Sequence, residues 1–81
     1  MKYTKDHPPR PGDKVRLNDI GLHIIGGLKN TEEIDALNSI RIKEVYYDTE
    51  LTDKNGDIYW AIELTKPFNI YMLTSNGVDK V

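Results

Sequence analysis

Residues 40–64 read IRIKEVYYDTELTDKNGDIYWAIEL, and the fold depends on how this stretch doubles back. At its centre, Asp53-Lys54-Asn55-Gly56 is a tight-turn signal, because an Asn-Gly step accepts the positive φ angles that short hairpin loops impose. After the turn, Ile58, Trp60, Ile62 and Leu64 alternate with Tyr59, Ala61 and Glu63. That period of two belongs to a strand with one buried face, and it assigns Trp60 to the core. Before the turn, Ile40, Ile42, Val45, Tyr46 and Tyr47 mark a strand over Ile40–Asp48. Its apolar phase slips between Ile42 and Val45, which predicts a bulge near Glu44. A long antiparallel hairpin is the central expectation.

Working outward, Val15 and Leu17 alternate with Lys14 and Arg16, which predicts a half-buried strand over Asp13–Asn18. From Asp19 to Leu28 the spacing becomes helical: Ile20, Ile24 and Leu28 fall four apart, beside Leu22 and Ile25. Asn18 or Asp19 can cap this helix, Gly26-Gly27 can stop it, and Gly21 inside weakens it by about 1 kcal/mol relative to alanine. Asn30-Thr31-Glu32-Glu33 opens a second short helix, capped by Asn30, anchored by Ile34 and Leu37 and ending by Ser39. Beyond the hairpin, Pro67 and Asn76-Gly77 bracket a segment best read as helical or 3₁₀, and Val78–Val81 can close as an edge strand. Residues 1–12 contain Pro8, Pro9, Pro11 and Gly12 and are expected to form an extended, proline-rich arm, leaving 13–81 as one domain.

The composition narrows the function classes. Eighty-one residues allow one domain with a thin core. Apolar residues at 38% and charged residues at 30% suit a folded chain and not a disordered one. The formal net charge of −2 advertises neither a nucleic-acid nor a membrane partner. With no cysteine, disulfides, thiolate metal ligands and a cysteine nucleophile are excluded. No apolar run approaches the roughly 20 residues of a membrane span, and MKYTKDHPPRPGD lacks the apolar centre of a secretory signal. The expected location is cytoplasmic.

The order strand, helical insert, long hairpin, helical turn, short strand fits a mainly β (α+β) domain: a small, partly open barrel of the SH3-like kind, with its last strand pairing with its first. PGDKVRLNDIG (residues 11–21) resembles the opening strand of SH3-like barrels, including KOW-type domains. The run from Val15-Arg16-Leu17-Asn18-Asp19 through the tyrosine-rich middle strand to Asp79-Lys80-Val81 also resembles small phage and prophage accessory proteins. The resemblance implies an SH3-like fold and such a genomic setting. The insert over residues 19–39 departs from a minimal KOW barrel, where a short loop stands, and this counts against nucleic-acid binding of the KOW kind.

Motifs for chemistry are incomplete. Asp53, Asn55 and Asp57 occupy calcium-loop positions one, three and five, but Ile58 stands where the loop needs glycine and Leu64 where it needs a bidentate glutamate. Gly21 and Gly26 have phosphate-loop spacing, but Gly27 and Leu28 replace the Lys-Ser/Thr pair. His7 lies in the arm, and His23, between Leu22 and Ile24, reads as a packed or half-exposed structural histidine. Ser39 and Ser75 lie outside any nucleophile elbow. Glu32-Glu33, Asp48/Glu50 and Asp53/Asp57 sit where caps, strand ends and turns put them, with no sign of the burial that acid–base work needs. No enzyme, cofactor or metal is expected.

Two surfaces remain. Tyr47, Tyr59 and Tyr71 are candidate anchors for a protein partner, a host protein or a second copy of this chain. Lys14, Arg16, Arg41 and Lys43 could line adjacent strands as a basic stripe, with Tyr46, Tyr47 or Tyr59 available for stacking, the pattern of single-stranded nucleic-acid platforms. The first reading is an accessory protein acting by protein–protein contact. The alternative is a nucleic-acid-binding SH3-like module.

Overall fold

The computed structural model describes residues 1–81. The chain runs β1 (Val15–Leu17), α1 (Asp19–Ile25), α2 (Thr31–Ala36), β2 (Ile42–Thr52), β3 (Ile58–Leu64), a 3₁₀ turn (Phe68–Ile70), β4 (Leu73–Thr74), a second 3₁₀ turn (Ser75–Gly77) and β5 (Val78–Lys80). The strands make two antiparallel sheets, β1–β5 and β2–β3–β4. A short seam links them: the Val15 amide donates to the Ile40 carbonyl at 3.1 Å, and the Gly12 amide to Ile42 at 2.7 Å. The ladder does not close into a barrel, and the class is mainly β with a helical insert between β1 and β2.

The hairpin forms as its sequence requires. Gly56 takes a φ of +84°, and the Asp53 carboxylate accepts the amides of Asn55 and Asp57 at 2.8 and 3.0 Å. All three oxygen-bearing positions of the incomplete calcium motif, Asp53, Asn55 and Asp57, are thus part of the turn. The register slips between Ile42 and Glu44, where the bulge was expected. β2 then runs on to Thr52, past the expected end at Asp48, through a second and larger irregularity. Tyr46 faces Ala61 and Leu51 faces Tyr59, so residues 47–50 stand opposite Trp60 alone. Thr49 holds this bulge together, its hydroxyl donating to the Tyr46 carbonyl at 2.6 Å and accepting the Ala61 amide at 2.9 Å.

Trp60, Ile62 and Leu64 point inward with Ile42, Val45, Leu73 and Phe68, and Val15, Ile40 and Val78 complete the core from the seam and the smaller sheet. Segment 67–77, expected to be helical or 3₁₀, contains two 3₁₀ turns with the two-residue β4 between them. β5 pairs with β1 as expected.

Three expectations need correction. The arm is docked: Tyr3 is a core residue, Pro9 is fully buried, and the Lys80 amide donates to the Met1 carbonyl at 2.8 Å. Residues 1–3 thereby cover the outer edge of β5, where Lys2 pairs with Asp79. In α1 the cap is Asn18 and the stop is Gly26, as expected, but Ile20 and Ile24 are exposed while Gly21 and Ile25 are buried. The helix is turned so that Gly21 lies against the backbone of Gly77. That rotation also leaves His23 exposed in the last turn, where a packed or half-exposed side chain was expected. In α2, Asn30 caps as expected, but Ile34 is 55% exposed and Glu33 is buried in its place.

Candidate functional site

Because Trp60, Ile62 and Leu64 face the core, the pleat sends Tyr59, Ala61 and Glu63 to the opposite face of the three-stranded sheet. Their β2 partners there are Leu51, Tyr46 and Glu44. Ala61, the smallest, is flanked by Tyr46 on one side and Thr74 of β4 on the other. It forms the floor of a trough along β3.

The second wall comes from the segment after the first 3₁₀ turn. Phe68 and Leu73 are both buried and pin this segment at two points. Ile70 and Met72 between them point away from the core, at 77% and 93% exposure. Tyr71 is held the other way, its hydroxyl donating to Glu33 Oε2 at 2.8 Å. The result is a groove of about 680 Å³ lined by Tyr46, Leu51, Ala61, Ile70, Tyr71 and Met72, with Thr49 and Glu63 at its borders. Scattered exposed apolar side chains are ordinary, whereas a joined patch of them marks a contact surface.

Glu33 makes this wall rigid. It is 3% exposed and accepts the Lys29 amide at 3.2 Å as well as the Tyr71 hydroxyl. A buried carboxyl among the glutamates corrects the expectation that none would be buried. The same hydrogen bond, followed by burial, raises the Tyr71 pKa above its ordinary value. Tyr71→Phe strips one oxygen of Glu33 of its partner, so we expect a lower midpoint in urea unfolding. An unchanged midpoint would mean that the Glu33 contact does not hold the wall.

The polar end of the groove is acidic. Glu44 and Glu63 are direct cross-strand partners, the Tyr46 hydroxyl donates to Glu63 Oε1 at 3.3 Å, and Lys43 Nζ lies 3.2 Å from Glu63 Oε2. The nearby charge of Glu44 is the main cause of the raised Tyr46 pKa, with partial burial and Glu63 adding to it.

The three tyrosines singled out in the sequence do not form one cluster. Tyr71 is a groove wall, and Tyr59 adjoins the groove through its partner Leu51. Tyr47 instead meets Trp60 edge-on, with ring centroids 6.3 Å apart, and donates to the Pro9 carbonyl at 2.6 Å, clamping the arm. Of the four basic residues, Lys14 and Arg41 are bridged neighbours, and Arg16 lies opposite Asp79. Arg41 donates to the Gly12 carbonyl at 2.9 Å, and Lys43 pairs with Glu63 at the groove's border. Of the groove lining, the sequence offered Tyr46 only as a stacking partner beside the basic residues, and Leu51, Ile70 and Met72 went unmarked. The phase slip at Glu44 does put Val45 inside and Tyr46 outside, a signal present in the chain. Nothing local marks Ile70 and Met72, whose exposure follows from the burial of Phe68 and Leu73.

No helix is long and apolar enough to cross a membrane. No known protein family, curated protein or solved structure matches this chain.

Proposed function

We propose that this protein is a non-enzymatic binding module that takes an apolar segment of a partner protein into the groove along β3. The observation that carries the reading is the exposure of Met72 and Ile70 beside Leu51 and Tyr46 in one continuous trough. Methionine suits such a surface, since its unbranched, polarizable chain adapts to different side chains. The proposal takes the fold as SH3-like, supported by the pairing of β5 with β1 and by the seam that joins β1 to the start of β2. In keeping with the resemblance noted above, it takes the protein as a cytoplasmic accessory protein of phage or prophage type.

The test is affinity capture from lysate of the cells in which the protein occurs, with the Ile70→Glu/Met72→Glu double variant alongside. Two charges in the trough are expected to reduce capture of a genuine partner at least tenfold, while Tm and far-UV circular dichroism stay unchanged because both positions are solvent-facing. Equal capture by both proteins would refute the groove.

The adjacency of Lys14 and Arg41, with Arg16 on the next strand position facing the same way, supports nucleic-acid binding as the second reading. Three cations released from phosphate contacts predict a loss of about 40-fold between 50 and 200 mM salt. Absence of binding to single- and double-stranded oligonucleotides at low salt ends that reading.

A further inference from the structure

We propose that the segment seated in the groove is an extended stretch of a partner protein carrying a lysine or arginine beside its apolar side chains, with the cation lying between Glu44 and Glu63. This rests on the groove reading above and adds the chemistry of its occupant. Six residue pairs are in register between β2 and β3. Five of them are apolar or mixed matches, such as Val45 with Ile62 and Leu51 with Tyr59. Glu44 opposite Glu63 is the exception, and like charges directly opposite each other weaken a sheet. Lys43 pairs with Glu63 but no ion pair reaches Glu44, so the rule stays half broken, and such a residue is where a function is to be sought.

Lys43 offsets one of the two carboxylates and no more. Its ammonium reaches Glu63 alone and is largely solvated, so the end of the trough keeps an excess negative charge. The charge lies next to Tyr46, a groove wall, which donates to Glu63. A cation at that end is placed beside Glu63, which borders the groove, and its cross-strand partner Glu44, while apolar neighbours on the same segment run over Ala61 between Tyr46 and Met72.

The trough follows one strand and lies between side chains of β2 and of residues 70–72, which suits the width of a single extended chain. A second copy of this protein is a poorer fit. A two-fold contact brings the same face against itself, and no lysine or arginine lines the groove to meet the partner's glutamates.

The experiment selects random ten-residue peptides on the full-length chain by display, then measures the enriched sequences as synthetic peptides. Enriched peptides are expected to combine large apolar residues with at least one lysine or arginine. Glu44→Gln with Glu63→Gln should weaken such a peptide roughly fivefold at low salt, the scale of exposed ion pairs. Replacing the peptide's cation with glutamine should weaken binding to the parent protein but not to the double variant. The double variant is expected to melt close to the parent Tm, since the repulsion removed and the Lys43–Glu63 pair lost oppose each other. Enrichment without a basic preference, or affinity unchanged by the two substitutions, overturns the cation site while leaving the groove standing if Met72→Glu still abolishes binding. No enriched peptide, or one indifferent to Met72→Glu, overturns both.

Discussion

Gly21→Ala is expected to destabilise the protein by about 2–3 kcal/mol, although helix propensity alone points the other way. In the middle of an exposed helix, alanine is favoured over glycine by about 1 kcal/mol. Here a Cβ on Gly21 would stand 2.1 Å from the Gly77 carbonyl oxygen and 3.0 Å from its carbon. The obstacle is backbone, so no rotamer change relieves it. Moving Gly77 disturbs the nearby Ser75 and Val78, both 1% exposed, and the hydrogen bond from the Asn18 amide to the Gly77 carbonyl at 3.1 Å. Overpacking of this kind costs about 1–3 kcal/mol after relaxation. The reciprocal change, Gly77→Ala, meets Gly21 at 3.0 Å and should cost less. Urea titration followed by Trp60 fluorescence reads both. A Gly21→Ala protein as stable as the parent would mean that α1 does not rest on the second 3₁₀ turn.

This contact marks the boundary of what could be read from the chain. The hairpin was legible because Asn55-Gly56 dictates the turn and the alternation from Ile58 to Leu64 dictates the face, both local. The bulge at Glu44 was legible for the same reason, and so were the caps Asn18 and Asn30, whose side chains bond within three residues. The facing of the two short helices was not. An isolated helix of this length is marginal, so its orientation follows whatever it docks against. Gly21 meets Gly77 and Glu33 meets Tyr71, partners 56 and 38 positions away. Both helices therefore turned their apolar Ile20, Ile24 and Ile34 outward, against the periodicity. The larger bulge at 47–50 was hidden for a similar reason: it is held by a Thr49 hydroxyl reaching across to Ala61. Half of the groove wall was consequently invisible, since Leu51 takes its face from that bulge.

Tyr3→Ala is expected to cost about 3–5 kcal/mol, the scale of truncating a buried aromatic side chain. For a domain of this size that means a fall in Tm of at least about 12 °C. A proline-rich tail gives no reason for such a loss, but Tyr3 is 4% exposed within the core, and its hydroxyl donates to Asp13 at 2.9 Å. Asp13 also accepts the Arg10 amide at 3.1 Å, so this one side chain fastens both ends of the arm. Burial first, then the hydrogen bond and charge of Asp13, raise the Tyr3 pKa above its ordinary value of 10.0. The sign of the linkage follows. Below pH 10 the phenol is protonated in both folded and unfolded chains, and its contribution to stability is fully present. As pH rises past 10, the unfolded chain releases the proton while the folded one holds it, so stability falls. Tyr3→Phe keeps the ring and removes the titration, and its stability should decline less steeply above pH 10 than that of the parent. If Tyr3→Ala melts within 2–3 °C of the parent, below the shift expected for even 1 kcal/mol, the arm is not part of the folded unit. If the Tyr3→Phe and parent curves run parallel at alkaline pH, the Tyr3–Asp13 bond does not hold the phenol protonated.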